Sequence, residues 1–330
     1  MATPIWQDTI VEHETISNSV DYRISVDESV IYHGKLTKRP GEESIKVNVN
    51  NLVKDYLTSK IDFDPSKTKY EHPAFMREFS IEVENEDTRV VIYNDWSYEG
   101  DRAEDTSPRF LSSPLSTIVD PRQYVFITAS PFGVGGTIHI SGLDAFNRVT
   151  FSVGEKTAMC TTFVQKLNAL STPTLRISGA VSSAESERPD SFNYTVKKSC
   201  ADYCLYYLNA YGGYDHLLIN GTTIRTDNYA RTEITKSVLN TTHQHGKQSV
   251  SIDITPKWRL NTDYLTDEQW AKTHHLLGSP YVLLHNLVTD EVIPVVITSN
   301  TAEFKTYRNQ GRRKSFLTIE VEASVKRMRK

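Results

Sequence analysis

Apolar and polar positions alternate along most of this chain, and the alternation has the two-residue period of β-strands. Near the amino end Val20, Tyr22, Ile24 and Val26 alternate with polar neighbours, Asp27-Glu28-Ser29 breaks the run, and Val30-Ile31-Tyr32 resumes it as far as Gly34. This pattern predicts a hairpin. Ile45, Val47 and Val49 predict a third strand, which runs into Asn50-Asn51, a cap for a short helix that sets Leu52, Val53, Tyr56 and Leu57 on one face. Residues 58–77 are polar with two prolines and read as a long surface connection. Phe79, Ile81 and Val83 then alternate, Asn85-Glu86-Asp87 turns the chain, and Arg89 to Tyr93 returns as a strand. A second long loop, 99–114, is charged and then rich in Ser and Pro. Loops of this length in a compact domain serve a function or are ordered by a partner.

From Tyr124 the pattern becomes a series of short strands, "YVFITA", "GTIHISG", "RVTFSVG", "TLRISGAV" and "FNYTV", separated by Gly and Asn at the spacing of sandwiches and barrels. The next segment, "YCLYYLNAYGGYDHLLING" (203–221), is apolar on both alternating sets, as a strand covered on two faces would be. Gly212-Gly213 supplies the reversal, and Asn220-Gly221 supplies a second turn. The reading is strand, turn, strand, turn, with a helix over 201–208 as the alternative. Farther on, Thr266 and Gln269 form a capping box, Asp267 and Glu268 occupy the first turn, and Gly278 stands at the C-cap, which predicts a helix at about 266–277. Strands "SVSIDIT", "YVLLHNL", "VIPVVIT" and "FLTIEVEASV" surround it.

The fold class predicted is mainly β, with two or three antiparallel sandwich- or barrel-like domains and one or two short helices. The divisions expected are an N-terminal β domain with long polar loops over 1–120, a central β region over 121–200 and a C-terminal β domain with one helix over 201–330. No fixed-period repeat marks a solenoid or propeller.

Composition narrows the function classes. The 330 residues are 38% hydrophobic and 24% charged, with a net charge of −4, so the chain has no polycationic character that would announce a nucleic-acid binder. The start, "MATPIWQDTIVEHE", has neither a basic region nor an apolar stretch, and no later run reaches the ~18 apolar residues of a membrane span, so a cytosolic product without a membrane anchor is expected. Cys160, Cys200 and Cys204 are too few for a disulfide framework and read as buried free thiols, with a link from Cys200 to Cys204 as the alternative.

Candidate chemistry is sparse. His243 and His245 form a His-x-His pair in a polar run that reads as a loop. His274 and His275 are adjacent on the helix and diverge by ~100°, so one is expected to face the sheet and the other solvent. The segment "SPFGVGGTIHISG" lacks the Lys-Ser/Thr of a phosphate loop, and the chain has no Gly-x-Ser-x-Gly elbow, His-Glu-x-x-His or Cys-x-x-Cys. The acids Asp62, Asp64, Glu82, Glu84, Glu86 and Asp87 read as solvated strand faces that also block edge pairing rather than as a glycosidase pair. Two basic clusters stand out, Arg308 with Arg312, Arg313 and Lys314, and Lys326 with Arg327, Arg329 and Lys330. They are candidate contacts for phosphates or for an acidic neighbouring subunit. Tyr203, Tyr206, Tyr207, Tyr211 and Tyr214 are candidate packing or interface aromatics. No cofactor and no enzymatic activity are expected.

The stretch 203–221 followed by "WRLNTDYLTDEQWAKTHHLLGSPYVLLHNL", "VIPVVITSNTAEFKTYRNQ" and "FLTIEVEAS" resembles the carboxy-terminal half of β-rich virion proteins of tailed phages of Bacteroidetes, crAss-like phages among them. The stretch "YRISVDESVIYHGKLTKRPGEESIKVNVNNLVKDYL" is similar to the opening of the same group, and 58–199 matches it poorly. The resemblance implies a tail or neck component made in the host cytoplasm and housed in the virion tail. Such a ring, hub or baseplate protein joins copies of itself and other tail proteins around the channel for genomic DNA. It implies no catalytic residue. The competing reading is a receptor- or carbohydrate-binding β-sandwich that stacks sugars on exposed tyrosines and on Trp96 and Trp258, and a third is a glycan hydrolase, for which no carboxylate pair is nominated.

Overall fold

A computed structural model of the chain describes residues 2–4, 9–59, 69–72, 76–84, 86–93, 109–110, 115, 117–130, 137–141, 149–152, 160–166, 174–179, 191–235, 246–299, 315–325 and 327–328. The chain opens with β1 (Ala2–Pro4), β2 (Ile10–Glu14), β3 (Ser19–Val26), β4 (Ser29–Thr37), β5 (Ser44–Asn48) and α1 (Val49–Ser59). There follow β6 (Lys69–His72), β7 (Met76–Val83), β8 (Glu86–Tyr93), β9 (Arg109–Phe110), β10 (Ile118–Val119) and β11 (Tyr124–Ser130). The middle holds β12 (Thr137–Ser141), β13 (Val149–Ser152), β14 (Cys160–Lys166), β15 (Thr174–Gly179) and β16 (Ser191–Val196). Then come β17 (Tyr203–Leu208), β18 (Tyr214–Ile219), β19 (Thr223–Thr235), β20 (Lys247–Leu265) and α2 (Asp267–Leu277). The chain closes with β21 (Val282–Asn286), β22 (Glu291–Ile297), β23 (Ser315–Ala323) and β24 (Arg327–Met328). The fold is mainly β, with several antiparallel sheets, two short helices and no closed barrel among the described residues.

Two compact units share the chain. Unit 1 takes Met1–Ser113, Tyr124–Val196 and Leu208–Asp215, and unit 2 takes Pro114–Gln123, Lys197–Tyr207 and His216–Lys330. In unit 1, β1, β8, β7, β3 and β4 lie side by side in that order, and β2 pairs with β5 as a separate ribbon. Alternation decides what they bury: Val20, Tyr22, Ile24 and Val26 of β3 and Phe79, Ile81 and Val83 of β7 enter one core with Val11, Ile45 and Val47 of the ribbon. Val49, Val53 and Leu57 of α1, one turn apart on a single helix face, complete that core, and Tyr56 meets Phe79 edge-on at 6.1 Å. The β3–β4 reversal has Asp27 and Glu28 at φ 48° and 66°, the backbone of a two-residue hairpin turn that matches strand twist. Unit 1 also contains β16-β15-β12-β13 and β6-β14-β11-β9 as further sheets in those orders.

Unit 2 is built on one sheet of order β18-β17-β21-β22-β23-β20-β19, with β24 added beside β20. Neighbours in register supply the core: Leu205 opposes Leu284, Leu284 opposes Ile293, Val321 opposes Trp258, and Ile319 opposes Leu260. These side chains share one cluster with Trp270 and Leu276 of α2, so the helix covers the face that the strands turn inward. The order of the strands imposes a shape. β18 and β19 lie at opposite edges, yet only Asn220, Gly221 and Thr222 join them. A flat sheet would hold those edges about 29 Å apart at ~4.8 Å per neighbour, whereas this link reaches about 14 Å. The sheet is therefore rolled, with its core inside the roll. Gly221 donates its N–H to the Asn261 carbonyl at 3.0 Å, and a Cβ at Gly221 would lie 2.4 Å from that oxygen, so glycine is required here by space.

The structure corrects several sequence expectations. The connection 58–77 contains β6 and the first residues of β7, and the loop 99–114 contains β9. β6 pairs Lys69–His72 with Phe163–Cys160, and its Lys-Tyr-Glu-His sequence carries no apolar contrast to betray it. α1 begins at Val49, so Asn50 lies inside the helix rather than capping it. The strand expected at "SVSIDIT" extends to Leu265, and β19, which has almost no buried position, was not foreseen. Cys200 is exposed, not buried, and it and Cys204 are free thiols. The helix at 266–277 has its capping box, Thr266 Oγ1 accepting from the Gln269 N–H and Gln269 Oε1 from the Thr266 N–H, and Gly278 at its C-cap.

Candidate assembly interface

β19 and β20 form a ribbon of 13 and 19 residues that extends beyond the rest of the sheet. Among the described residues, strand β23 accompanies β20 only between Lys257 and Leu265, and β24 touches it only at Asp253 and Ile254. Pro256 sits between those two partners, where β20 has a described neighbour on one side alone and its missing N–H costs the ladder least. From Thr232 to Thr235, paired with Ser251 to Lys247, the described structure is two-stranded. A two-stranded ribbon in water is marginal by itself.

The ribbon carries apolar groups into solvent. Buried Pro256 and half-buried Ile254 and Ile252 continue, at two-residue spacing, the stripe that Trp258 and Leu260 begin in the core. Tyr229 stands opposite Ile254 and is 56% exposed, and Ile224, Ile234 and Val250 are 49%, 50% and 63% exposed. At the root, the Arg225 guanidinium lies 5.7 Å from the Trp258 ring centroid and donates to Asp227 at 2.9 and 3.2 Å. The opposite face of β20 is tied to β23 by Arg259–Glu320 at 2.7 Å and Lys257–Glu322 at 2.9 Å. Such exposed pairs contribute at most about 1 kcal/mol each and fix register more than stability.

The tyrosines occupy the interior. Tyr206, Tyr207, Tyr211 and Tyr214 are buried, and Tyr203 packs partly buried against the core of unit 2. Tyr206 donates its hydroxyl proton to His285 Nδ1 at 2.9 Å, and His285 Nε2 donates to Asp290 Oδ1 at 3.0 Å, which fixes the imidazole tautomer. In unit 1 the Tyr214 N–H donates to Thr128 Oγ1 at 3.1 Å and its ring lies 5.6 Å from that of Phe126. The turn between β17 and β18 is organised by Asn209, whose Oδ1 accepts from the Tyr211 and Gly213 N–H groups, while Gly212 takes φ 84°. Trp258 is 3% exposed, and Trp96 lies outside the described residues. These buried rings offer no stacking face to a sugar.

His216 is fully buried, and burial pushes its imidazole down to about 4. The folded chain holds it neutral while the unfolded chain takes up a proton below about 6.5. Its contribution is thus fully present above that pH and is lost as pH falls toward 4, a difference of roughly 3 kcal/mol. The His216 ring resonances are expected to stay unprotonated from about pH 8 to 5, measured by NMR; a midpoint near 6.5 would contradict its burial.

A second buried polar group ties unit 2 together. Asp120, fully buried, accepts from the Arg122 side chain at 2.8 and 3.0 Å, from the Arg122 N–H at 2.9 Å, and from the Ser199 N–H and hydroxyl at 2.8 and 2.7 Å. Arg122 Nη2 also donates to the carbonyls of Ser199 and Ala201. Burial alone would raise the Asp120 pKa, but the hydrogen bonds from Arg122 and Ser199 outweigh it and hold the carboxyl well below the usual range.

Other candidates resolve into structural roles. Glu84 and Glu86 meet His13 at 3.3 and 3.0 Å, Glu82 lies 3.9 Å from Arg23, and Asp87 accepts from Ser80, so these acids link strands. Asp62, Asp64, His243 and His245 lie outside the described residues, among which no group of three potential metal ligands occurs. Burial pushes the Cys204 thiol up, away from nucleophilic use. On α2, His275 is buried and His274 exposed, their rings 4.1 Å apart. Of the basic residues, Arg308, Arg312, Arg313, Lys314, Lys326, Arg329 and Lys330 lie outside the described residues, and Arg327 contributes backbone to β24 opposite Ile254. The alternation of apolar and polar residues does not reveal the ribbon, because Thr, Arg, Asp and Asn dominate β19 and because Pro256 argues against a strand. The available signal was the β-favouring Thr, Ile and Tyr residues within 223–235.

No family model matches the chain, and no curated protein matches it. Among solved structures, the full extracellular region of plexin A4, domains 1 to 8, aligns with a TM-score of 0.19 and 7% identity. The alignment covers 97% of this chain and 38% of that chain, so the chain spans well under half of the plexin region, and a likeness of this size carries no argument.

Proposed function

We propose that this chain is a structural, non-enzymatic protein of a phage tail or neck that forms an oligomeric ring or hub around the DNA channel and joins adjacent tail components. The observation that carries the reading is the β19–β20 ribbon, a projecting two-stranded arm with exposed Ile224, Tyr229, Ile234 and Val250. Alone it is marginal, and contact with a neighbouring subunit would bury its apolar groups. The resemblance of 203–221, 258–287, 292–310 and 316–324 to phage virion proteins supports the tail assignment, although it does not include β19. In this reading the rolled sheet forms wall, the arm clasps a neighbour, and the basic residues 308–314 and 326–330 meet acidic partners or DNA.

The test is native mass spectrometry with negative-stain imaging at two protein concentrations. A closed ring, or one that appears as concentration rises, is the expected result. A strict trimer that binds glycans would replace this reading with receptor recognition. Deleting residues 230–252 is expected to abolish the ring while the circular dichroism of the remaining sheets persists.

A further inference from the structure

The outer edge of β19 is a long strand edge without a described partner, since among the described residues β19 pairs with β20 alone. Its backbone N–H and C=O groups on that side are a template for another strand. The order of its side chains says which strand. Counting outward from Tyr229, Asp227 and Arg231 are opposite in charge, Thr226 and Thr232 are identical, and Arg225 and Glu233 are opposite in charge. Ile224 and Ile234 are identical, as are Thr223 and Thr235. Only Asn228 and Ala230 differ without complementing each other.

We infer that β19 pairs antiparallel with β19 of a second copy of this chain, about a two-fold axis at Tyr229, so that the two sheets join edge to edge. In that register Arg225 faces Glu233 of the other copy, Asp227 faces its Arg231, and Ile224 faces its Ile234. The symmetry repeats each contact. The five residues concerned, 225, 227, 229, 231 and 233, share one face of the strand because successive side chains alternate. The irregularity between Thr232 and Glu233 leaves this alternation intact, because the extra residue, Val250, belongs to β20. Arg225 already bonds Asp227 along the strand, so pairing makes the charges alternate both along and across the seam. Register is fixed as well. A slip of two residues, which keeps the same face, sets Arg225 against Arg231 in one direction and Asp227 against Glu233 in the other.

The inference does not rest on the tail assignment, because it concerns a two-fold contact and a ring closes through heterologous ones. Sedimentation velocity of the full chain over a concentration series should show an association step that doubles the mass of the sedimenting unit, whether that unit is one chain or a closed ring. Arg225→Glu and Glu233→Arg, each replacing attraction by repulsion at two symmetric positions, should each weaken the dimer about 10-fold or more. The double variant R225E/E233R should return to within about 3-fold of the original, a recovery that misfolding cannot imitate. In a Cys200→Ser chain, Tyr229→Cys should form a 229-to-229 disulfide under mild oxidation, identified by peptide mass, because the axis sets this residue opposite itself. Asn228→Cys should not. A chain that stays monomeric at every concentration, a double variant that remains as weak as the singles, or equal cross-linking at 228 and 229 would overturn the inference.

Discussion

Trp258→Ala is expected to lower the unfolding free energy by roughly 4 kcal/mol. The indole is 3% exposed, faces Val321 across one ladder and Arg225 across the other, and belongs to the cluster inside the rolled sheet. Truncation removes both the transfer free energy of the ring and the atoms that would fill its volume, and β20 cannot close on the gap while both neighbours hold its register. Trp258→Phe keeps an aromatic body and should cost about half as much. Arg225→Ala should cost about 1 kcal/mol or less, since the guanidinium over the ring is half exposed. Urea unfolding distinguishes these cases by a lower midpoint at unchanged slope. A midpoint for Trp258→Ala within error of the parent would mean that the arm is not rooted in the core through this residue.

Asp120→Ala should cost roughly 3 kcal/mol, because it strands Arg122 and the Ser199 N–H without their acceptor. The figure is below that for a fully enclosed pair, since the Arg122 side chain is 34% exposed and water can take up part of its charge. Acid gives a second readout. The folded carboxyl is held below the ordinary range, so on acidification the unfolded chain takes up this proton first. The stabilisation is therefore complete above about pH 4 and is lost as pH falls below it. Asp120→Asn has no such proton, so its stability should be lower at neutral pH and should fall less steeply in acid. Parallel pH profiles for the parent and Asp120→Asn would remove Asp120 from the account of acid stability.

Where the chain alternates apolar and polar residues against a single core, the sequence was legible. Val20 to Val26 and Phe79 to Val83 show their buried faces residue by residue, and Thr266 with Gln269 announces α2. Pairing was not legible, because it depends on distant segments: β5 joins β2 rather than β3 and β4, and Asp120 is satisfied by Ser199 far along the chain. The arm escaped for a different reason. Burial creates the apolar contrast that periodicity detects, and β19 has little burial within one subunit. The evidence for its partner lies instead in the mirrored order of its charges, which only becomes meaningful once the strand is known to be an edge.

The Asn220-Gly221-Thr222 link also bears on how the molecule would come apart. Ladder hydrogen bonds join every other neighbouring pair in the rolled sheet of unit 2, but its first and last strands are held near each other by peptide bonds. A single cut at this seam would remove no ladder and no core side chain, yet it would release the edges from a fixed separation and restore the entropy of an open chain to the unfolding equilibrium. Force applied between β18 and β19 would load this covalent link together with its hydrogen bonds to Asn261. Peeling this sheet strand by strand from either edge would therefore have to strain the Asn220-Gly221-Thr222 link as well.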